Sequence, residues 1–413
     1  MKKSGTLRAI ILTAIVTAIA VFTITSILPI AMGDKVLVST QEYEDMVVLR
    51  SRFDKLLSLE DFIKQNFYQD VSDVDFDTGI LKGLFQALDD RYSEYYTKEE
   101  YAALLEEFDG SVTGIGAYIT PGPNGSVEIV SPIEGSPAEA AGIMKGDLII
   151  EVDGESTEEY TFEGNQRRIK GPAGTQVHLK IQRTNPVTNV ISEIEMTITR
   201  ARVETPAVSS EMKSDTIGYI RITTFDNKVS REFSDHMKKI QDAGAKAFVL
   251  DIRDNGGGDL DQVVEVADQL LGVQTIVTIV TTGEPDTVYN SNAAKTEMPF
   301  ILLVNENSAS ASEILAGAIQ DGHAAPVVGD VTFGKGIVQT VRGLMDGTGF
   351  KLTVSRYLTP SGADIQDKGI TPDLLKEELE ARGFVTAFDE EGNQTTDGVL
   401  DYAIDYLQKE LAR

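Results

Sequence analysis

The sequence predicts a multidomain α+β chain: an apolar N-terminal segment and helical region, a middle of short strands, an α/β core and a helical tail. Three observations carry that expectation. Residues 9–33 hold no charged side chain. Residues 34–108 place apolar side chains at helical spacing. Beyond residue 109 glycine-rich turns separate short apolar runs, and from residue 204 apolar runs alternate with amphipathic helices. The boundaries read from these changes are 1–33, 34–108, 109–203, 204–375 and 376–413.

Composition removes several function classes. The 413 residues carry 65 Asp and Glu against 37 Lys and Arg, a net charge of -28. Such a chain repels phosphate backbones, so nucleic acid is not an expected partner. With no cysteine there is no disulfide, thiolate metal site or cysteine nucleophile. His178, His236 and His323 are the three histidines, too few for a His-rich metal centre. Neither a metal nor an organic cofactor is expected.

Lys2, Lys3 and Arg8 precede the uncharged run Ala9–Gly33. The run exceeds the roughly 7–15 apolar residues of a signal peptide, so it reads as an uncleaved single-pass membrane anchor. The positive-inside rule then places the acidic body on the extracytoplasmic side. In the next region Tyr43, Met46, Val47, Phe53, Leu56 and Leu57 mark one helix, and Ile80, Leu81, Leu84, Phe85 and Leu88 another. The stretch Asp89-Asp90-Arg91-Tyr92-Ser93-Glu94-Tyr95-Tyr96 ends the second, and Thr97-Lys98-Glu99-Glu100 reads as a capping box opening a third. This region is expected to serve packing or homo-oligomerisation and to carry no chemistry.

Between residues 109 and 203, Gly114-Ile115-Gly116 leads into a strand, and Ser136-Pro137-Ala138…Gly142 is a short helix with Pro in its first turn and Gly at its end. Lys145-Gly146-Asp147 turns into the strand Leu148–Val152, and Asp153-Gly154 follows. This series resembles a PDZ domain. The resemblance implies that Gly114, Ile115 and Gly116 present backbone N–H groups to the terminal carboxylate of a peptide, which adds as a strand to a sheet edge.

Between residues 204 and 375, strands are expected at Ile217–Ile222, Ala247–Ile252 and Phe300–Val304, with helices over Ser230–Ala243, Leu260–Leu271 and about Ser310–Gln320. Strand–loop–helix repetition places sites at the carboxyl ends of strands. Three such segments could carry chemistry. In Asn307-Ser308-Ala309-Ser310-Ala311-Ser312-Glu313 a serine at a helix N-terminus could attack a carbonyl while the Ala311 N–H holds the oxyanion. Equally, Ser310-x-x-Glu313 is itself a capping box. In Thr332-Phe333-Gly334-Lys335-Gly336, with Gln339 beyond, a buried lysine could act as base and Gln339 orient its amine; a solvated surface lysine is the competing reading. Gly329-x-x-x-x-Gly334-Lys335 approaches a phosphate loop, but Gly336 stands where Ser or Thr would hold magnesium. Asn255-Gly256-Gly257-Gly258 could offer further N–H groups or be a plain turn.

Taken in order after the PDZ-like region, these segments closely resemble the carboxyl-terminal processing peptidases, also called tail-specific proteases. The resemblance spans about residues 75–375. It implies an α/β protease core of the ClpP/crotonase-like type and a serine endopeptidase mechanism. By position, Ser310 is the nucleophile, Lys335 the general base and Gln339 its orienting partner, with Ala311 and Gly257 donating to the oxyanion. The implied substrates are proteins or peptides with apolar C-terminal tails. Two departures stand out: Lys170-Gly171 where the family usually has Arg-Gly, and Asn255-Gly256-Gly257-Gly258 where members often have Asn-Pro-Gly-Gly. The rival readings are a proteolytically inactive PDZ adaptor and a crotonase-like acyl-CoA enzyme.

Overall fold

The computed structural model describes residues 3–24, 39–185, 188–292, 295–388 and 394–413. The chain divides into two units, residues 1–80 and 81–413. The first holds α1 (Lys3–Phe22) and α2 (Thr40–Asn66). α2 starts where Ser39 Oγ accepts from Glu42 N and the Glu42 carboxylate accepts from Ser39 N. Among the described residues no helix is long and apolar enough to cross a membrane. The expected anchor over 1–33 therefore gains no support from the structure, and its last part, 25–33, lies outside the described residues. α3 (Phe76–Gln86) runs across the boundary between the units.

The second unit opens with β1 (Glu94–Tyr96) and α4 (Lys98–Phe108). The expected capping box is present: Thr97 Oγ1 accepts from Glu100 N, and Glu100 Oε2 from Thr97 N. β2 (Ser111–Gly114) and β9 (Ala201–Glu204) then pair antiparallel. Between them lies an antiparallel sheet of β3 (Ala117–Pro121), β4 (Val127–Pro132), β5 (Leu148–Val152), β7 (Gln176–Thr184) and β8 (Ile191–Thr199), with β6 (Glu155–Ser156) beside β5. Val177, Leu179 and Ile181 of β7 alternate inward, as the two-residue period of a strand requires. α5 (Pro137–Ala140) and α6 (Phe162–Ile169) cover this core.

The third region is a sheet in the order β10 (Val208–Met212), β11 (Ile217–Ile222), β12 (Ala247–Asp251), β15 (Phe300–Val304), β16 (Val327–Gly329) and β19 (Leu374–Leu375). All pairs but β10–β11 are parallel. β12 and β15 are buried at every position, as central strands covered on both faces must be. Helices α7 (Val229–Asp242), α8 (Leu260–Leu270) and α9 (Ala311–Asp321) pack on one face. α10 (Lys376–Ala381) and α11 (Gly398–Leu411) pack on the other, with Leu379, Val399, Ala403 and Leu407 against Val249, Ile301 and Leu303. The tail is thus part of the core. Arg253, just past β12, clasps it there by donating to Asp251 and to Asp397, which caps α11.

A second antiparallel sheet, absent from the sequence expectation, joins β13 (Thr275–Thr281), β14 (Thr287–Asn290), β17 (Ile337–Gly343) and β18 (Gly349–Leu358) to β1.

Candidate active site

The loop after β15 turns into α9 at Ser310, whose φ is 56° and ψ -113°. A non-glycine residue in that region holds roughly 1–3 kcal/mol of strain, and such strain gathers at functional sites. Its two flanking serines are committed elsewhere. Ser308 Oγ donates to the Ile252 carbonyl (2.9 Å) and Ser312 Oγ to the Asn255 carbonyl (2.8 Å), both buried. They tie the serine loop to the end of β12. Ser310 instead lines a cavity of about 500 Å³ with Ala311, Ile314, Ile337, Gln339, Gly258 and Tyr357.

The capping-box geometry expected at Ser310 and Glu313 is present. The Glu313 carboxylate accepts from Ser310 N at 2.9 Å, and Glu313 N also donates to the Ser310 carbonyl. Glu313 does more than cap. Fully buried, it also accepts from Thr332 Oγ1 (2.6 Å), Gly334 N (2.7 Å) and Lys335 N (2.8 Å). One carboxylate therefore joins the serine loop to the lysine loop. Tyr357, on β18, adds a second tie: its hydroxyl lies 3.0 Å from the Ser310 carbonyl and 2.7 Å from that of Lys335.

Lys335 is half-buried and is not a surface charge. Burial pushes its amine below the ordinary lysine value; Lys351 and Arg91 push the same way, while Glu313 and Asp90 oppose. Its Nζ sits 4.9 Å from the centroid of the Tyr92 ring. Among the described residues it donates no hydrogen bond to Ser310 or Gln339. Gln339 lies on β17 at a bulge, and its buried Nε2 has no acceptor.

The glycine loop is pinned by Asn255, fully buried, whose Nδ2 donates to the Ile222 carbonyl (3.1 Å). Its Oδ1 accepts from Gly257 N at 2.9 Å. The expected oxyanion donor Gly257 is therefore engaged in this arrangement, and the backbone of Gly258 lines the cavity instead. Gly257 has no room for a side chain: at φ 105°, an added Cβ would stand 2.8 Å from Ser310 Cβ and 2.9 Å from Ala311 N.

Gly114, Ile115 and Gly116 line a separate groove of about 230 Å³ together with Ile133, Gln166, Ile169 and Lys170. The groove borders β3, an edge strand of its sheet. Lys170 also lines the adjoining cavity, which Lys351 and Tyr96 share.

The sequence reading missed the contribution of the region before residue 109. Tyr101, Leu105 and Phe108 of α4 wall the Ser310 cavity. Tyr101 seats α4 on two facing glycines, Gly343 and Gly349, where an added Cβ would meet its ring at 3.1 and 2.2 Å. We expect Gly349→Ala to cost roughly 1–3 kcal/mol by overpacking, measured by urea unfolding, and to raise KM several-fold as the α4 wall recedes. None of the three histidines lines the cavity, and among the described residues no group of His, Cys, Asp and Glu could hold a metal.

Residues 216–375 match peptidase family S41, and residues 128–183 match a PDZ domain. The chain is 36% identical over 329 residues to the carboxy-terminal processing protease CtpA of Bacillus subtilis (strain 168), covering 79% of this chain and 69% of that protein. It is 37% identical over 309 residues to the chloroplastic carboxyl-terminal-processing peptidase 2 of Arabidopsis thaliana, covering 71% of this chain and 59% of that one. In fold it is similar to the crystal structure of a putative S41 protease from Bacteroides fragilis, with a TM-score of 0.52 at 17% identity, over 83% of this chain and 91% of that one. The chain belongs to the carboxyl-terminal processing serine proteases of peptidase family S41, with a PDZ domain inserted ahead of the protease core.

Proposed function

We propose that this chain is an endopeptidase that cleaves proteins and peptides selected by apolar C-terminal tails. In the reaction, the neutral Lys335 amine takes the Ser310 proton and Ser310 Oγ attacks the scissile carbonyl. Collapse of the tetrahedral intermediate expels the amine product, which takes up that proton, and leaves an acyl-enzyme. Water, deprotonated by the same amine, then releases the acid product. Gln339 orients the amine, and the Ala311 N–H at the start of α9 stabilises the oxyanion together with an N–H of the glycine loop. Gly257 N–H fills that second place only after releasing Asn255; Gly258 N–H is the alternative on the same loop. The observation that carries this reading is Glu313, which holds the Ser310 and Lys335 backbones on one buried carboxylate beside the cavity.

The groove at Gly114–Gly116 receives the tail as a strand added to β3. Support for a membrane tether comes from the uncharged run Ala9–Gly33 after three basic residues. The exposed Tyr43, Met46, Val47 and Leu57 of α2 support assembly with a second copy of the chain. The test is a serine-directed acylating probe followed by peptide mapping. The label is expected on Ser310; a label on Ser308 or Ser312, or none with a competent probe and substrate turnover intact, overturns the assignment. Blocking the label with a peptide that ends in apolar residues, but not with its C-terminal amide, is expected if the groove delivers the tail.

A further inference from the structure

The segment Asp89–Tyr96, read from sequence as a helix terminator without chemistry, lies against the lysine. Asp89 takes a left-handed φ of 52°. The turn is fixed on β18, where Thr353 N donates to Ser93 Oγ (3.0 Å) and Ser93 Oγ donates to Asp90 Oδ2 (2.6 Å). β1 extends this attachment by pairing with β18 from Glu94↔Lys351 to Tyr96↔Gly349. Tyr92 is thereby held with its ring toward Lys335, while the Arg91 guanidinium stands 4.7 Å from the same ring and 5.4 Å from that of Phe333. A cavity of about 670 Å³ opens beside the turn; Tyr92, Ile337 and Thr353 line it and Lys335 does not.

We propose that Tyr92 is a positioning residue for the reaction: its ring seats the Lys335 side chain and closes the amine off from the neighbouring open cavity. The proposal rests on Lys335 being the general base. The ring face attracts an ammonium, which by itself favours protonation, but the same ring excludes water from that side, and burial is the larger influence on the amine. The charged groups facing Lys335 are Asp90 and Arg91 on the turn, Glu313 on α9 and Lys351 on β18. Two of these raise and two lower its proton affinity, which leaves burial as the leading influence.

Only the neutral amine accepts a proton, so kcat/KM falls as pH drops through the amine's pKa. Removing the ring admits water, favours the ammonium and moves this acid limb to higher pH. We expect Tyr92→Ala to shift the limb upward by about one unit, giving about tenfold lower kcat/KM well below the limb and convergence with the wild type above it. Tyr92→Phe, which keeps the ring, should retain the wild-type profile. Should the alanine variant fail to fold, Tyr92→Asn reads the same limb with a small polar side chain. A limb that does not move, or a uniform loss at every pH, overturns the proposal. Lys335→Ala, assayed alongside, separates the two claims. If it remains active, the assignment of the base fails. If it is inactive while the limb of the ring variants stays put, only the role of Tyr92 fails.

Discussion

Ser310→Ala is expected to lower kcat/KM by at least about 10⁴-fold, because among the described residues no other serine or threonine lines the cavity. The neighbouring hydroxyls cannot substitute, since Ser308 and Ser312 are buried and donate to the Ile252 and Asn255 carbonyls. Lys335→Ala should lose about as much, and the double variant little more than either, as residues acting as one unit do. Lys335→Arg should also be inactive. A guanidinium keeps its proton and has no lone pair to offer. The assay is steady-state cleavage of a flexible protein ending in apolar residues, with circular dichroism to verify folding. Burial depresses the Lys335 amine, so in the wild type the acid limb should lie below the ordinary lysine value of 10.5. Activity should rise with pH through that limb. A variant of Ser310 or Lys335 with undiminished turnover would sink the dyad.

How far the sequence reveals this site depends on where each residue's partners lie. Phe300–Val304 reads as a strand because a central strand covered on both faces is apolar at every position. The helices at 229–242 and 260–270 read from their apolar stripes. β17 and β18 escape notice because their positions are mostly half-buried or exposed, with no clean alternation to mark them. β1 is harder still: three residues long, it pairs with Gly349–Lys351, far along the chain. Missing that pairing hides the place of Tyr92. Ser310 and Lys335 stand out as candidates because their motifs are compact. The register of the three adjacent glycines is not legible in sequence; the hydrogen bond from Gly257 N to Asn255 Oδ1 and the place of Gly258 on the cavity wall distinguish them. Glu313 was visible, but only as a cap. Three of its four donors come from the loop at 332–335, and local spacing carries no information about that loop.

Glu313 should therefore be the most sensitive residue outside the dyad. Glu313→Ala removes the acceptor for the Thr332 hydroxyl and Gly334 N, both buried, and for Ser310 N and Lys335 N, both half-buried. Leaving buried donors unpaired costs about 1–3 kcal/mol each before relaxation, so a total loss of roughly 3–5 kcal/mol is expected once water enters. The activity loss should be about 10³-fold or more, because the Ser310 and Lys335 backbones then lose the carboxylate as a common partner and keep the Tyr357 hydroxyl. Glu313→Gln separates charge from shape. The amide fills the same space and keeps one acceptor oxygen, but its NH₂ group faces N–H donors that it cannot satisfy. It should unfold at lower urea by about 1–3 kcal/mol and lose about 10²-fold in kcat/KM, with less change in KM, because the tail groove lies elsewhere. Urea unfolding together with the acylation rate of Ser310 reads both effects. Full activity in Glu313→Gln would show that the negative charge is not needed to hold nucleophile and base in register. Activity lost without any loss of stability would instead place Glu313 in the chemistry itself, since a strut cannot be removed from a buried hydrogen-bond network at no structural cost.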